Sequence, residues 1–105
     1  MADSSKKTVL LIATLDTKAA EARFLKESVE SQGCAVMVMN PGILAAPPYK
    51  PDVDNVELAA AAGEDLTALL ASKDKGRCIA AMMAGCAAIT RKLYDEGKIQ
   101  GVVSI

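Results

Sequence analysis

The chain has 105 residues, of which 51% are hydrophobic but only 3% aromatic, and its formal net charge is −1. This length suits one small domain, and the near-neutral charge excludes an electrostatic nucleic-acid binder. No apolar run is long enough to cross a bilayer, so we expect a cytoplasmic protein with neither nucleic-acid nor membrane partners.

The cysteines and the absence of histidine restrict the chemistry further. Cys34, Cys78 and Cys86 form no C-x-x-C pair, and the chain contains no histidine. Zinc sites and disulfide frameworks need closer or paired ligands, so we predict no metal site. Without histidine, Ser-His-Asp and Cys-His catalysis are excluded within this chain.

The first half of the chain follows a strand–helix–strand pattern. Residues 1–7 are polar and predicted to be disordered. Thr8–Ala13 is a continuous apolar run, typical of a strand buried on both faces of a parallel sheet. Thr17–Gln32 carries apolar residues at helical spacing and stops before Gly33. Cys34–Met39 reads as a second buried strand, so these elements predict a parallel βαβ unit.

The second half adds a loop, two helical segments and a strand. Asn40–Asn55 contains all four prolines and is predicted to be a loop. Val56–Ala71 has helical spacing with a break at Gly63, and Gly76–Glu96 has the strongest helical pattern. Gly101–Ile105 is the third predicted strand.

Together these elements predict an α/β domain over residues 8–105. We expect a three-layer, half-Rossmann-like parallel sheet, with three strands in the order 2-1-3 and helices on both faces. In the strongest helix one stripe is predicted to be core or a subunit interface, formed by Ile79, Met83, Cys86, Ile89 or Thr90, and Leu93. The third strand would be a sheet edge, so we expect a fragment of a larger domain. The alternative is a complete small domain whose third strand pairs with another subunit.

The most polar turn follows the first predicted strand. Thr14, Asp16, Thr17 and Lys18 lie where a strand ends and a helix begins, and the free N–H groups of a helix start bind phosphates readily. The two hydroxyls and the lysine suit a nucleotide phosphate, and Asp16 could hold a ribose hydroxyl or Mg²⁺. The turn has no glycine-rich motif, and Asp16 could instead cap the helix, so a plain turn is the competing interpretation.

Two further polar groups are candidates from later in the chain. Asp52, in the proline-rich loop, could close over a ligand or bind a cation, although loop carboxylates are more often solvated or capping. Lys73, Lys75 and Arg77 connect two predicted helices, and a solvated turn is the interpretation favoured for them.

Two stretches of the sequence resemble a known family. The run "ATLDTK-x-x-E-x-x-F-L" at Ala13–Leu25 and the pattern "AAAAGEDL…KDKG…M-x-x-G" from Ala59 to Gly85 resemble the N-terminal part of the nucleotide-binding domain in the tomato mosaic virus resistance protein family. The resemblance implies a two-lobed α/β domain that binds ATP, with Mg²⁺ possible, and that forms homodimers or higher homo-oligomers. It also implies that a glycine-rich phosphate loop follows the "GVVSI" strand in the complete protein, so this chain alone would lack part of the site.

The leading functional hypothesis is therefore part of a nucleotide-binding domain, with Thr14, Asp16, Thr17, Lys18 and Asp52 as binding residues. One alternative is a protein-interaction or oligomerisation module without a ligand. Another is the binding half of an enzyme that acts on a phosphorylated small molecule. The sequence assigns no catalytic residue.

Overall fold

The computed structural model describes residues 6–105, which form three strands and four helices. The strands are β1 (Thr8–Ile12), β2 (Ala35–Met39) and β3 (Gly101–Ser104). The helices are α1 (Leu15–Ser31), α2 (Asn55–Ala61), α3 (Leu66–Ser72) and α4 (Lys75–Asp95). Most of the segment predicted to be disordered, residues 1–5, lies outside the described residues. Lys7 already joins the sheet, because its carbonyl oxygen accepts a 2.8 Å hydrogen bond from the N–H of Ala35.

The sheet has the predicted strand order. β1 lies between β2 and β3 and pairs with both in parallel. Leu10 is opposite Met37 on one side and opposite Val102 on the other. All three carboxyl ends therefore lie at one edge of the sheet, where the loops after parallel strands form binding sites.

The two faces of the sheet bury separate cores. Leu10 packs into a cluster with residues of α2, α3 and α4, and Leu11 packs into a cluster with residues of α1. Both leucines have no exposed surface, as expected of alternating side chains in a central strand. Helices therefore cover both faces, which confirms the predicted three-layer architecture.

The predicted helix end at Gly33 and the predicted helix break at Gly63 are confirmed, with small shifts in the helix bounds. Gly33 has a φ of +91° just after α1, and Gly63 has a φ of +77° between α2 and α3. Both conformations are left-handed, where glycine carries no steric cost. The helix after the first strand begins at Leu15, two residues earlier than predicted, and is kinked at Lys18 (φ −122°, ψ 19°).

The buried face of α4 matches the predicted stripe only in part: Leu93 is buried and Cys86 packs against the core, but the stripe's first two residues do not. Ile79 and Met83 are 47% and 67% exposed, whereas Cys78, Met82 and Gly85 are buried. A side-chain carbon at Gly85 would overlap the backbone carbonyl group of Leu58 in α2. This close approach of two backbones sets the rotation of α4 and turns Ile79 and Met83 away from the core.

Within residues 6–105, no helix is both long enough and apolar enough to span a bilayer. The sulfur atoms of Cys34, Cys78 and Cys86 form no disulfide.

Candidate functional site

The start of α1 is held by a residue from the end of β2. Thr14 occupies the N-cap position but makes no side-chain capping bond. Instead, the N–H of Leu15 donates to Asn40 Oδ1 at 3.0 Å, and the N–H of Gly42 donates to the same oxygen at 2.9 Å. Asn40 is 1% exposed, so this one amide fixes the strand end, the loop and the helix start together.

Asp16 binds the same loop from the other side. Its Oδ2 accepts a 2.8 Å hydrogen bond from the N–H of Leu44, and a side-chain carbon at Gly42 would lie 2.6 Å from its Oδ1. The expectation that Asp16 caps α1 is wrong, because Asp16 lies in the first turn after the N-cap. Its carboxylate fastens the Pro41–Leu44 loop to that turn.

A cavity of about 850 Å³ lies between this loop, the start of α1 and the exposed side of α4. Its lining residues include two threonines, Thr14 and Thr17, whose hydroxyls are 3.2 Å apart, and two lysines, Lys73 and Lys75. Asp16 is the one carboxylate among the described residues that line it. The rest of the wall consists of Pro41, Gly42, Ile43, Leu44, Leu70, Cys78, Ile79, Met82, Met83 and Cys86. The cavity is therefore amphipathic, with separate polar groups around an aliphatic and sulfur-containing wall.

The lysines at the cavity, Lys73 and Lys75, differ from Arg77 in whether a carboxylate lies close to them. Within residues 6–105, neither Lys73 nor Lys75 has a carboxylate oxygen within 4.0 Å, whereas Arg77 lies 3.0 Å from Glu64. The hydrogen bond to Glu64 raises the pKa of Arg77. The predicted connection is shorter than expected, because Lys75 and Arg77 already lie in α4, and Lys73 and Lys75 also line the cavity.

Two of the predicted binding residues lie elsewhere. Lys18 is exposed and is not among the residues that line the cavity. The carboxylate of Asp52 accepts a 2.7 Å hydrogen bond from the N–H of Val38 and lines a separate groove of about 330 Å³ with Arg23 and Tyr49. The structure therefore brings Thr14, Asp16 and Thr17 together at one site, but not Lys18 or Asp52.

A third groove, of about 540 Å³, runs between α4 and β3. Ile12, Cys86, Tyr94 and Val102 line it, and its surface is almost entirely apolar. Thr90 Oγ1, which is buried beside it, has no hydrogen-bond partner among the described residues. The larger cavity is the candidate site because of its volume and because Thr14 and Thr17, which line it, follow the carboxyl end of the central strand.

Comparison with known families identifies the chain. The profile of the family described as "Uncharacterised protein family (UPF0261) N-terminal domain" matches residues 7–105. The chain belongs to this family.

Full-length relatives in the family are much longer. A UPF0261 protein of Clostridium tetani is 33% identical over 99 residues, which cover 94% of this chain and 24% of the relative. UPF0261 proteins of Brucella suis and Brucella melitensis are 31% and 30% identical over 104 residues, covering 99% of this chain and 25% of each relative. The chain thus spans about a quarter of the length of these relatives. No solved structure matches it.

This membership corrects the resemblance drawn from the sequence. The resemblance of the runs at Ala13–Leu25 and Ala59–Gly85 to the tomato mosaic virus resistance protein family is wrong. The matching profile and the three relatives all place the chain in the UPF0261 family. Whatever that resemblance alone implied therefore has no support, and arguments about a ligand must come from the cavity itself.

Sequence reasoning did not assign several residues to the site: it interprets Lys73 and Lys75 as a solvated turn, and Ile79 and Met83 as part of a stripe on a helix. Asn40 starts the predicted loop. The Asn-Pro pair that follows β2 is a turn signal, but it does not indicate the buried hydrogen bonds that the Asn40 side chain makes. Lys73, Lys75, Ile79 and Met83 reach the cavity only because of how α3 and α4 pack. Their spacing along the chain gives no signal of this.

Proposed function

We propose that the cavity binds a nucleotide or a similar phosphate-bearing small molecule, for which ATP serves as the probe. The observation that carries the proposal is that two threonines, Thr14 and Thr17, and two lysines, Lys73 and Lys75, line one largely apolar cavity. Its volume is within the range of small-molecule sites in proteins, roughly 300–1,000 Å³.

The position of the cavity in the fold also supports a ligand site. Because β1 has neighbours on both sides, the chain changes direction across the sheet at this strand. Ligands of open α/β sheets bind beyond the carboxyl ends of the strands at such a reversal. Thr14 and Thr17 follow β1 at this edge.

The described residues of the cavity suit Mg²⁺ only when it binds together with the phosphates of a ligand. Asp16 is the one carboxylate that they contribute to the cavity wall, and one of its oxygens already accepts the hydrogen bond from Leu44. Among residues 6–105 no group of three potential metal ligands occurs. Mg²⁺ commonly keeps most of its water and binds through substrate phosphates, which is the mode this cavity would support.

Calorimetric titration of the 105-residue chain with ATP tests the proposal, together with the shifts of backbone amide resonances. We expect saturable binding and shifts at Thr14, Thr17 and Met83. Replacing Lys73 and Lys75 together with alanine should weaken binding, whereas Lys18→Ala is a matched control with an exposed lysine outside the cavity. Absence of binding, or shifts confined to other surfaces, would contradict the proposal.

A second candidate function is a protein-interaction or homo-oligomerisation module. The observation that favours it is the exposure of large apolar side chains at the cavity, where Leu44 is 79% exposed and Met83 is 67% exposed. Such patches often mark interaction surfaces. Analytical ultracentrifugation distinguishes the two functions: self-association abolished by Met83→Lys, without any ATP binding, would favour the module.

A further inference from the structure

We infer that the outer edge of β3, together with the groove between α4 and β3, is the docking surface for a fourth parallel strand and its crossover helix. The rest of a full-length UPF0261 polypeptide supplies both elements. This inference goes beyond the proposed function, because it concerns a surface beside the candidate cavity and needs no ligand.

The edge of the sheet at β2 is already occupied. The N–H of Val38 donates to Asp52 Oδ2 at 2.7 Å, and the carbonyl oxygen of Val38 accepts a 3.0 Å hydrogen bond from the N–H of Val53. The N–H of Asn40 donates to the carbonyl oxygen of Val53 at 2.9 Å. The loop after β2 therefore satisfies the backbone groups at the end of this strand, as native sheets commonly protect an edge.

The edge at β3 has no such cover within residues 6–105. β3 pairs with β1 on one side, and the N–H of Gln100, just before it, donates to the carbonyl oxygen of Thr8 at 2.9 Å. Alternate residues of a parallel strand bond to opposite neighbours, so half of the backbone groups of Gly101–Ser104 point away from β1. The strand contains neither a charged residue nor proline, which are the residues that usually prevent further pairing at an edge.

The α4 side of β3 is also only partly covered. Val102 lines the apolar groove of about 540 Å³ together with Tyr94 of α4. Val102 is 51% exposed and Tyr94 is 63% exposed, whereas Leu10, which is opposite Val102 in β1, has no exposed surface. Strands of a parallel sheet are normally covered by helices on both faces, so this exposure marks a place that a further helix would cover.

The connections in the sheet indicate which face that helix occupies. α1 connects β1 to β2 on one face, and α2, α3 and α4 connect β2 to β3 on the other face, in the opposite direction across the sheet. A connection from β3 to a strand at its outer edge continues in the direction from β2 to β3. A right-handed crossover therefore puts its helix on the α4 face, over Val102 and beside Tyr94.

The length of the relatives favours a segment of the same polypeptide as the occupant. About three quarters of each UPF0261 relative lies outside the match to this chain. A tethered segment has a high effective concentration, so a four-residue strand and one groove are enough to hold it. A second copy of the chain would need a larger surface, since stable interfaces bury roughly 1,200–2,000 Å².

Hydrogen exchange tests the fourth strand. A chimera carries this chain in place of the matching quarter of the Clostridium tetani UPF0261 protein, and mass spectrometry follows exchange at residues 101–105 in the chimera and in the 105-residue chain. Exchange in β1, which is paired on both sides, serves as the internal reference in each. We expect the ratio of the β3 rate to the β1 rate to fall roughly tenfold or more in the chimera.

Cysteine alkylation tests the crossover helix. Tyr94→Cys and Phe24→Cys are matched variants, because both replace exposed aromatic side chains on helices, and Phe24 is 73% exposed on α1, at the opposite face of the sheet. We expect Tyr94→Cys to react roughly tenfold or more slowly in the chimera than in the 105-residue chain. Phe24→Cys should react at the same rate in both, and peptide mass spectrometry separates these sites from the native cysteines.

Each contrary result overturns a different part of the proposal. An unchanged exchange ratio at β3 in a cooperatively folded chimera overturns the fourth strand. Protection of β3 without protection of Tyr94→Cys overturns the position of the helix, and protection that is lost on dilution shows that a second copy covers the edge. If the chimera does not unfold cooperatively, the aligned peptides of the unmodified Clostridium tetani protein decide, and a β3 ratio equal to that of the 105-residue chain overturns the proposal.

Discussion

The carboxylate of Asp16 accepts a 2.8 Å hydrogen bond from the N–H of Leu44, which lies 28 residues further along the chain. This bond joins the first turn of α1 to the loop that follows β2. Asp16 therefore shapes one wall of the cavity and also contributes negative charge there.

Removing this carboxylate should loosen the loop. We expect Asp16→Ala to lower the free energy of unfolding by about 1 kcal/mol, because one hydrogen bond to a charged group is lost at a partly exposed position. Hydrogen exchange at the Leu44 amide should become faster. Asp16→Asn retains an acceptor oxygen and should slow this exchange relative to Asp16→Ala. Equal exchange rates at Leu44 in the native chain and in Asp16→Ala would contradict the role of the bond.

Gly42 provides a second test of the same contact. A methyl group at this position would lie 2.6 Å from Asp16 Oδ1, so Gly42→Ala must displace the carboxylate. We expect a loss of about 1 kcal/mol in the native background and a smaller loss in the Asp16→Ala background, as measured by urea denaturation. Gly76→Ala is a control, because its methyl group would be 3.6 Å from its nearest neighbour. Additive losses at Gly42 and Asp16 would show that the two sites do not interact.

The order and type of the elements were predictable because their signals are local. The continuous apolar runs of β1 and β2 and the left-handed glycines at Gly33 and Gly63 depend on a few neighbouring residues each. The chain order of strands and helices then restricts the topology to a parallel sheet with crossover helices. Thr14 and Thr17 were predictable for the same reason, since they follow the central strand.

The buried face of α4 was predictable only in part, and so was the site. Small residues surround this helix, so several rotations offer an apolar face of similar quality. The contact between Gly85 and the backbone of Leu58 selects one of them, and that contact joins residues distant in the chain. The same packing brings Lys73 and Lys75 to the cavity, where no motif spacing could have placed them.

Gly85 should tolerate no side chain. Because a methyl group there would overlap the carbonyl group of Leu58, Gly85→Ala must push α2 and α4 apart. We expect a loss of about 1–3 kcal/mol in the free energy of unfolding, although alanine favours helix more than glycine does. Ala88→Ser, at an exposed position of the same helix, should cost roughly 0.5 kcal/mol or less. A Gly85→Ala variant as stable as the native chain, by urea denaturation, would contradict the close approach.

The thiol of Cys86 should react slowly at alkaline pH. Partial burial raises the pKa of Cys86, so its thiol stays protonated in the folded chain at pH values where an unfolded thiol ionises. Since only the thiolate is alkylated, the pH midpoint for iodoacetamide modification of Cys86 should be higher in the folded chain than in the same chain unfolded in urea. Peptide mass spectrometry measures this midpoint for Cys86 separately from the other cysteines.

The same shift predicts the sign of a stability change. Because the pKa of Cys86 is higher in the folded chain than in the unfolded chain, the folded chain keeps the thiol proton at pH values where the unfolded chain has lost it. This contribution to the folding stability is complete below the unfolded pKa and is lost as the pH rises through the folded pKa. The native chain should therefore lose stability at alkaline pH more steeply than Cys86→Ala, which has no ionisable group at this position. Two results would contradict the shielding of the Cys86 thiol from water. One is a pair of parallel stability-against-pH profiles for the two chains, and the other is an alkylation midpoint in the folded chain at or below that in urea.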